Sequence, residues 1–208
     1  MKVVSTNIGE AVEINYHGKR VKTGMYKYPV DKAIYLGKED VANDSVVDRK
    51  YHGGVDKACY WYSEKHYAFW KERFPDLDWQ FGMFGENLTI SDLDEGEVKI
   101  GDIYRIGEAV VQVTQPRQPC FKLNYRFNCD TMVKQFIEAG CPGVYVRVLE
   151  EGAIRKGDEL ILLERTDESF PVRKIYEMLY AEEKDQIIWE RALADPVLAE
   201  SCKKDLSK

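Results

Sequence analysis

The apolar positions in the first 165 or so residues come in short runs, most of them bounded by Gly, Pro, Asp or Asn. Such runs read as strands. They are Lys2 to Thr6, Ala33 to Leu36, Cys59 to Tyr62, Leu88 to Ile90, Ile103 to Ile106, Val110 to Thr114, Gly143 to Leu149 and Glu159 to Leu163. Many short strands with frequent turns predict a mainly-β fold, a barrel or a sandwich. Gly101-Asp102 and Gly157-Asp158 each precede an apolar run and read as hairpin turns that serve the scaffold. Two stretches switch to helical spacing. Ser63 is placed to cap a helix through about Arg73, with Tyr67, Trp70 and Phe74 as core packing and Pro75 as its stop. Asp130 or Thr131 caps a second helix through Ala139, closed by Gly140.

The pattern changes after about Arg165. Ser169 and Pro171 start a helix through Tyr180, Asp185 caps one through Ala194, and Asp195-Pro196 starts a third through about Lys204. Ile175, Leu179, Ile188, Trp189, Leu193 and Leu198 give these helices an apolar side. Three helices this short need a neighbour to be stable. The chain therefore divides into a β domain, residues 1–165, and a three-helix module, residues 166–208. The module reads either as a lid on the β domain or as a docking surface.

Composition narrows the function. The chain has 208 residues, 44% of them hydrophobic, enough for one sizeable domain with an appendage. A formal net charge of -6 argues against general nucleic-acid binding. Membrane insertion is not expected, because no run of about 18 apolar residues occurs. The N-terminus lacks the apolar core of a secretory signal. Five cysteines, Cys59, Cys120, Cys129, Cys141 and Cys202, form no Cys-x-x-Cys pair and read as reduced thiols of a cytoplasmic protein. His17, His52 and His66 show no zinc-type spacing.

Four loop segments carry candidate chemistry. In Gln115-Pro116-Arg117-Gln118-Pro119-Cys120, two prolines deny a strand its donors, so pairing should end there. The turn then presents Cys120 close to Arg117, whose charge favours a thiolate. Such a cysteine is a ligand, a nucleophile or a small core residue. Asp48 to Lys57 offers Arg49, Lys50, His52 and Lys57 to an anion, with Gly53 and Gly54 allowing close backbone approach. Gly85-Glu86-Asn87-Leu88 adds Glu86 as acceptor and Asn87 as both donor and acceptor. Lys22-Thr23-Gly24 has the groups to hold a phosphate. A soft thiolate combined with an anion pocket suits a metal held by an anionic, phosphate-bearing organic ligand. Each of the other three segments alone also reads as an ordinary turn or exposed loop.

Asp48-Arg49 with His52-Gly53-Gly54, the run Ala58 to Tyr62, Gly85-Glu86-Asn87-Leu88 and Gln115 to Cys120 occur in an order that resembles the MOSC family, named for the molybdenum cofactor sulfurase C-terminal domain. The similarity is greatest to its YiiM type, and the tail resembles the three-helix module that follows the domain in those proteins. This resemblance implies a β-barrel that binds molybdenum cofactor, with Cys120 as the sulfur ligand of the metal. It also implies that Lys22 and Thr23 grip the pterin phosphate, while Arg49, His52, Gly53, Asn87 and Arg117 hold the cofactor or substrate. His52 or Glu86 would deliver a proton. The implied reaction reduces N-hydroxylated compounds such as 6-hydroxylaminopurine to amines, with electrons from a separate donor protein, since no ferredoxin-like cysteine run occurs. A homodimer follows from the family alone. Two other classes stay open: a sulfurtransferase carrying a persulfide on Cys120, and a non-catalytic cofactor carrier. In every version Cys59, Cys129, Cys141 and Cys202 are structural.

Overall fold

A computed structural model describes residues 1–165 and 168–208. In chain order the strands are β1 (Val3–Ile8), β2 (Val12–Tyr16), β3 (Lys19–Thr23), β4 (Tyr28–Pro29), β5 (Ile34–Leu36), β6 (Cys59–Ser63), β7 (Leu88–Ile90), β8 (Ile103–Ile106), β9 (Ala109–Pro116), β10 (Val144–Glu150), β11 (Gly152–Ile154) and β12 (Leu160–Glu164). The helices are α1 (Arg49–His52), α2 (Glu64–Arg73), α3 (Lys122–Arg126), α4 (Met132–Ala139), α5 (Val172–Tyr180), α6 (Gln186–Ala194) and α7 (Glu200–Leu206).

Eight strands form one sheet in the order β12-β8-β9-β10-β6-β7-β1-β4. Among the described residues only β6 and β7 pair in parallel; their neighbours pair antiparallel. The expected barrel is not closed. The two sides of the sheet meet at a single bridge, Lys2 with Glu159, flanked by bonds such as Val3 N–H to Asp158 O at 2.9 Å. Two small hairpin-like sheets, β2 with β3 and β5 with β11, complete the β structure.

Every strand expected from the apolar runs is present within two residues at either end. The exceptions are informative. Pairing runs through Pro116, which stands opposite Val144, because a terminal residue needs no donor. Gly101-Asp102 and Gly157-Asp158 are not hairpin turns, since β8 pairs with β9 and β12 while β11 pairs with β5. Asp102 is instead fully buried and accepts Arg165 Nε at 3.0 Å and Nη2 at 2.6 Å. Ser63 precedes α2 without a side-chain cap, because its hydroxyl donates to the Leu93 carbonyl at 2.9 Å.

The tail helices follow the reading closely at α5 and α6. Asp185 caps α6, accepting from Ile187 and Ile188 N–H at 3.0 and 3.1 Å. Asp195 makes a turn instead of a helix start, and α7 begins at Glu200. Val172, Ile175, Leu198, Cys202 and Leu206 share one buried cluster with Trp61, Val111, Val113 and Val144 of the sheet. The expected boundary between residues 165 and 166 falls against the two residues outside the description. A second cluster gathers Tyr60, Tyr62, Tyr67, Trp70, Phe84, Phe127 and Phe136, so the aromatic stripe of α2 is core packing. Among the described residues no helix is long and apolar enough to cross a membrane.

Candidate functional site

A cleft of about 620 Å³, part of it open solvent, lies where the end of β3, the loop 44–48, α1, β6, the turn before β7 and the turn after β9 converge. Its walls come close because Gly24 has no side chain: a Cβ there would stand 1.7 Å from the Ser45 carbonyl oxygen. Thr23, His52, Asn87, Arg117 and Cys120 all line it. Thr23 and Cys120, far apart in sequence, thus line one cleft.

The sulfur-bearing turn is held from both sides. Arg117 N–H reaches the Gly143 carbonyl at 3.5 Å, and the Cys120 carbonyl accepts Leu123 N–H at 2.9 Å as α3 begins. Gln118 Nε2 donates to Asp205 Oδ2 at 2.9 Å, and Ser201 Oγ donates to Gln115 Oε1 at 3.0 Å, so α7 braces the turn. Cys120 is half-buried. Arg117 is buried, its guanidinium 5.2 Å from the Tyr60 ring centre and 5.3 Å from that of Phe136. Its Nη1 has no hydrogen-bond partner among the described residues. A buried donor left unpaired is costly and points to a missing acceptor.

The cleft is cationic although the chain is acidic. Lys27, Lys57, Arg117 and Lys122 line it against Asp44 and Asp48. Lys27 is paired with Asp44 in the interior. Lys122 Nζ is 3.8 Å from Asp48. Burial pushes the Lys57 ammonium below its ordinary range. Burial, aided by Arg117, Lys122 and Lys57, drives the His52 imidazole down to about 3, so it is neutral at pH 7. Asn87 faces the cleft but its amide is committed: Nδ2 donates to Asp44 Oδ2 at 2.9 Å and Oδ1 accepts Tyr60 N–H at 3.2 Å. Thr23 Oγ1 accepts Met25 N–H at 3.1 Å, which leaves its own hydrogen free to donate.

Four residues expected at the site do not line it. Lys22 precedes Thr23 on a strand, where side chains alternate, and points to solvent opposite Glu13. Arg49 is exposed and held by Glu39 at 2.7 Å and Asp40 at 2.5 Å. Gly53 packs against Arg49 and Val46. Glu86 is fully buried below the cleft, where it accepts Gly82 N–H at 2.8 Å, Phe84 N–H at 3.1 Å, Thr89 Oγ1–H at 3.0 Å and the Tyr67 hydroxyl. Burial raises its carboxyl above the usual range, and its contacts organise the Gly82 to Thr89 turn. The sequence reading missed Lys27, Asp44, Lys122 and Tyr145. No local signal marks them; a lysine buried among aromatics and a lone aspartate look ordinary until the fold brings them together.

The MOSC domain model matches residues 48–161, more than half of the chain. The uncharacterized protein YflK of Bacillus subtilis is 40% identical over 99% of this chain and 93% of its own length. A protein of Gibberella moniliformis named "Reductase" is 35% identical over 79% of this chain, which corresponds to only 30% of that longer protein. The crystal structure of YiiM from Geobacillus stearothermophilus superposes with a TM-score of 0.83 at 33% identity, covering 99% of this chain and 97% of that one. The match to YiiM over nearly the whole chain in fold and at 33% identity, together with the domain match over residues 48–161, means that the chain belongs to the MOSC domain family as a homologue of YiiM.

Proposed function

We propose that this chain binds molybdenum cofactor in the cleft and reduces N-hydroxylated compounds, 6-hydroxylaminopurine among them, to amines, taking electrons from a separate donor protein. One observation carries the reading: the Cys120 thiol and the buried guanidinium of Arg117, whose Nη1 lacks a hydrogen-bond partner among the described residues, share a cationic cleft. The donor set fits a metal that arrives inside an anionic organic ligand. Among the described residues no group of three or more His, Cys, Asp or Glu is arranged to hold a metal ion, so Cys120 would add a single sulfur to ligands supplied by the pterin. Arg117, Lys57 and Lys122 would offset the negative charge, and the Thr23 hydroxyl would donate to it. Lys22, which faces solvent, drops out of the phosphate grip.

When bound, the cofactor would supply the two-electron redox chemistry that cleavage of the N–O bond requires. The chain itself holds the substrate and manages the proton. His52 is kept neutral chiefly by burial, with Arg117, Lys122 and Lys57 adding to it; a bound anion would offset the cationic part and favour the proton that the imidazole would pass toward a departing oxygen. Glu86, bound to its own turn, takes no part in that transfer.

The test is expression in a cofactor-competent host, comparing wild type with Cys120→Ala. Molybdenum and pterin content and reduction of 6-hydroxylaminopurine by a chemical reductant are measured. The wild type should carry both components and turn over, while the variant, equally folded, should lose its molybdenum-dependent reduction. Full activity in Cys120→Ala overturns the ligand role. An extra sulfur atom on Cys120 without molybdenum would favour a sulfurtransferase instead.

A further inference from the structure

A second cavity, of about 820 Å³ and partly open to solvent, lies between the β2–β3 hairpin and the turn that joins α3 to α4. None of its lining residues lines the cleft. Asn15, Tyr16 and His17 form the hairpin wall; Tyr125, Asn128 and Asp130 stand on the other. Both walls are held in place by contacts of their own. Asn124 fixes the α3–α4 turn, donating to the Asp130 carbonyl at 2.7 Å and accepting Val133 N–H at 2.7 Å. The Tyr16 ring ties the hairpin to α3: its centre is 4.7 Å from that of Phe121, tilted by 40°, and 6.5 Å from that of Tyr125, edge-on at 70°. His17 and Asn128, at φ +49° and +47°, are two of the four described non-glycine residues in the left-handed region, and they stand on opposite walls. Such residues concentrate at ligand sites.

A polar crevice between two elements is often only solvated. Here two tyrosine rings share the cavity with the Asn15 and Asn128 carboxamides and the Asp130 carboxylate. None of these three polar side chains has a hydrogen-bond partner among the described residues, and neither does either tyrosine hydroxyl. No lysine or arginine lines the cavity, so it has no fixed cation for a phosphate. Aromatic faces offer a flat apolar surface on which a planar heterocycle stacks. A carboxamide presents a donor beside an acceptor and matches the ring nitrogen and amino group on the edge of an aminated base. A carboxylate accepts from a further N–H. We propose that this cavity binds a free, planar nitrogen heterocycle with an exocyclic amino group, of the adenine type. Tyr16 and Tyr125 supply the stacking surface, Asn128 pairs with the aminated edge, and Asp130 accepts a remaining N–H.

The cavity adjoins the sulfur-bearing turn. Phe121 follows Cys120 directly and precedes Tyr125 by four residues, about 6 Å along a helix axis. Cys120 lines the cleft, Tyr125 lines the cavity, and the Phe121 ring packs between them against Tyr16. The inference goes beyond the proposed reduction and does not rest on it, since no cleft residue takes part. The amine formed from 6-hydroxylaminopurine nevertheless belongs to the same ligand class.

The full chain, with or without cofactor in the cleft, is titrated by calorimetry with adenine, with purine and with adenosine 5′-monophosphate. Adenine should bind saturably. Tyr125→Leu keeps an apolar helical residue but removes the ring, and should weaken binding about tenfold. Asn128→Gly keeps the left-handed backbone but removes the carboxamide, and should weaken it about as much. Purine, which lacks the amino group, should bind about tenfold more weakly than adenine, and the monophosphate no more tightly. Absence of saturable adenine binding to the wild type overturns the proposal. So does wild-type affinity in both folded variants, purine binding as tightly as adenine, or a monophosphate that binds about tenfold more tightly. A thermal melt reports whether each variant folds; should one not, the other and the purine comparison decide. Because turnover is not read, failure here leaves the proposed reduction standing, and failure of that reduction leaves this site standing.

Discussion

Arg117 offers a sharp separation of binding from scaffolding. Replacing it with Met keeps the apolar stem and removes the guanidinium. The variant loses a hydrogen bond with Tyr145, about 1 kcal/mol, and two ring contacts, about 0.5–1 kcal/mol each. It also loses the unpartnered buried Nη1, whose desolvation costs about 1–3 kcal/mol or more. These terms nearly cancel, leaving a net change within about 2 kcal/mol, or at most about 4–8 °C in Tm for a chain of this size. Anion binding is another matter. An oxyanion at a hundred times its Kd stabilises the folded state by about 2.7 kcal/mol, and the variant should lose nearly all of this. Calorimetry of both proteins, with and without added molybdate, reads both effects. A loss of about 4 kcal/mol or more without anion would make Arg117 structural. An undiminished molybdate-dependent shift in the variant would remove it from the binding site.

The two lysine positions should divide in the same assay: Lys57→Ala, within the cleft, weakens the molybdate-dependent shift, and Lys22→Ala, facing solvent, leaves it intact. Glu86→Ala removes an acceptor from four buried donors and should cost about 3–5 kcal/mol in chemical denaturation, with loss of cleft binding only as a consequence of a disordered turn. His52 has a folded pKa near 3, below its unfolded 6.5, so the stability it contributes is present above pH 6.5 and lost as pH falls toward 3. Wild-type Tm should therefore drop more between pH 7 and pH 5 than that of His52→Asn; parallel drops would contradict the assigned burial.

Local pattern made much of this molecule readable. The runs at Leu88, Ile103 and Val110 became strands because apolar β-branched stretches between breakers have few other ways to bury themselves. The hairpin of β2 and β3 went unread although Val12-Glu13-Ile14-Asn15-Tyr16 alternates apolar and polar residues; six of its ten residues are exposed, so it adds little to the core that marks the other strands. The Gly-Asp pairs misled because a turn dipeptide cannot say which strands it joins; that depends on pairing partners such as β8 with β12. Within the cleft, Cys120, Arg117 and His52 were legible, each set apart by proline, glycine or clustered charge. Lys22 and Thr23 were read as a pair, yet the two-residue period of a strand sends them to opposite sides.

The sequence by itself determined eight of the twelve described strands, the helices α2, α4, α5 and α6, the free cysteines, the position of Cys120 at a proline-stiffened turn, and the motif order that links the chain to its family. Only the tertiary structure decided that the sheet curls without closing, and that Lys27, Lys57 and Lys122 join Arg117 as the cations lining the cleft while Lys22 and Arg49 do not. The physical reason is range. Propensity, capping and alternation act over a few residues, whereas burial, desolvation and charge pairing depend on neighbours that only the folded chain brings within a few ångströms.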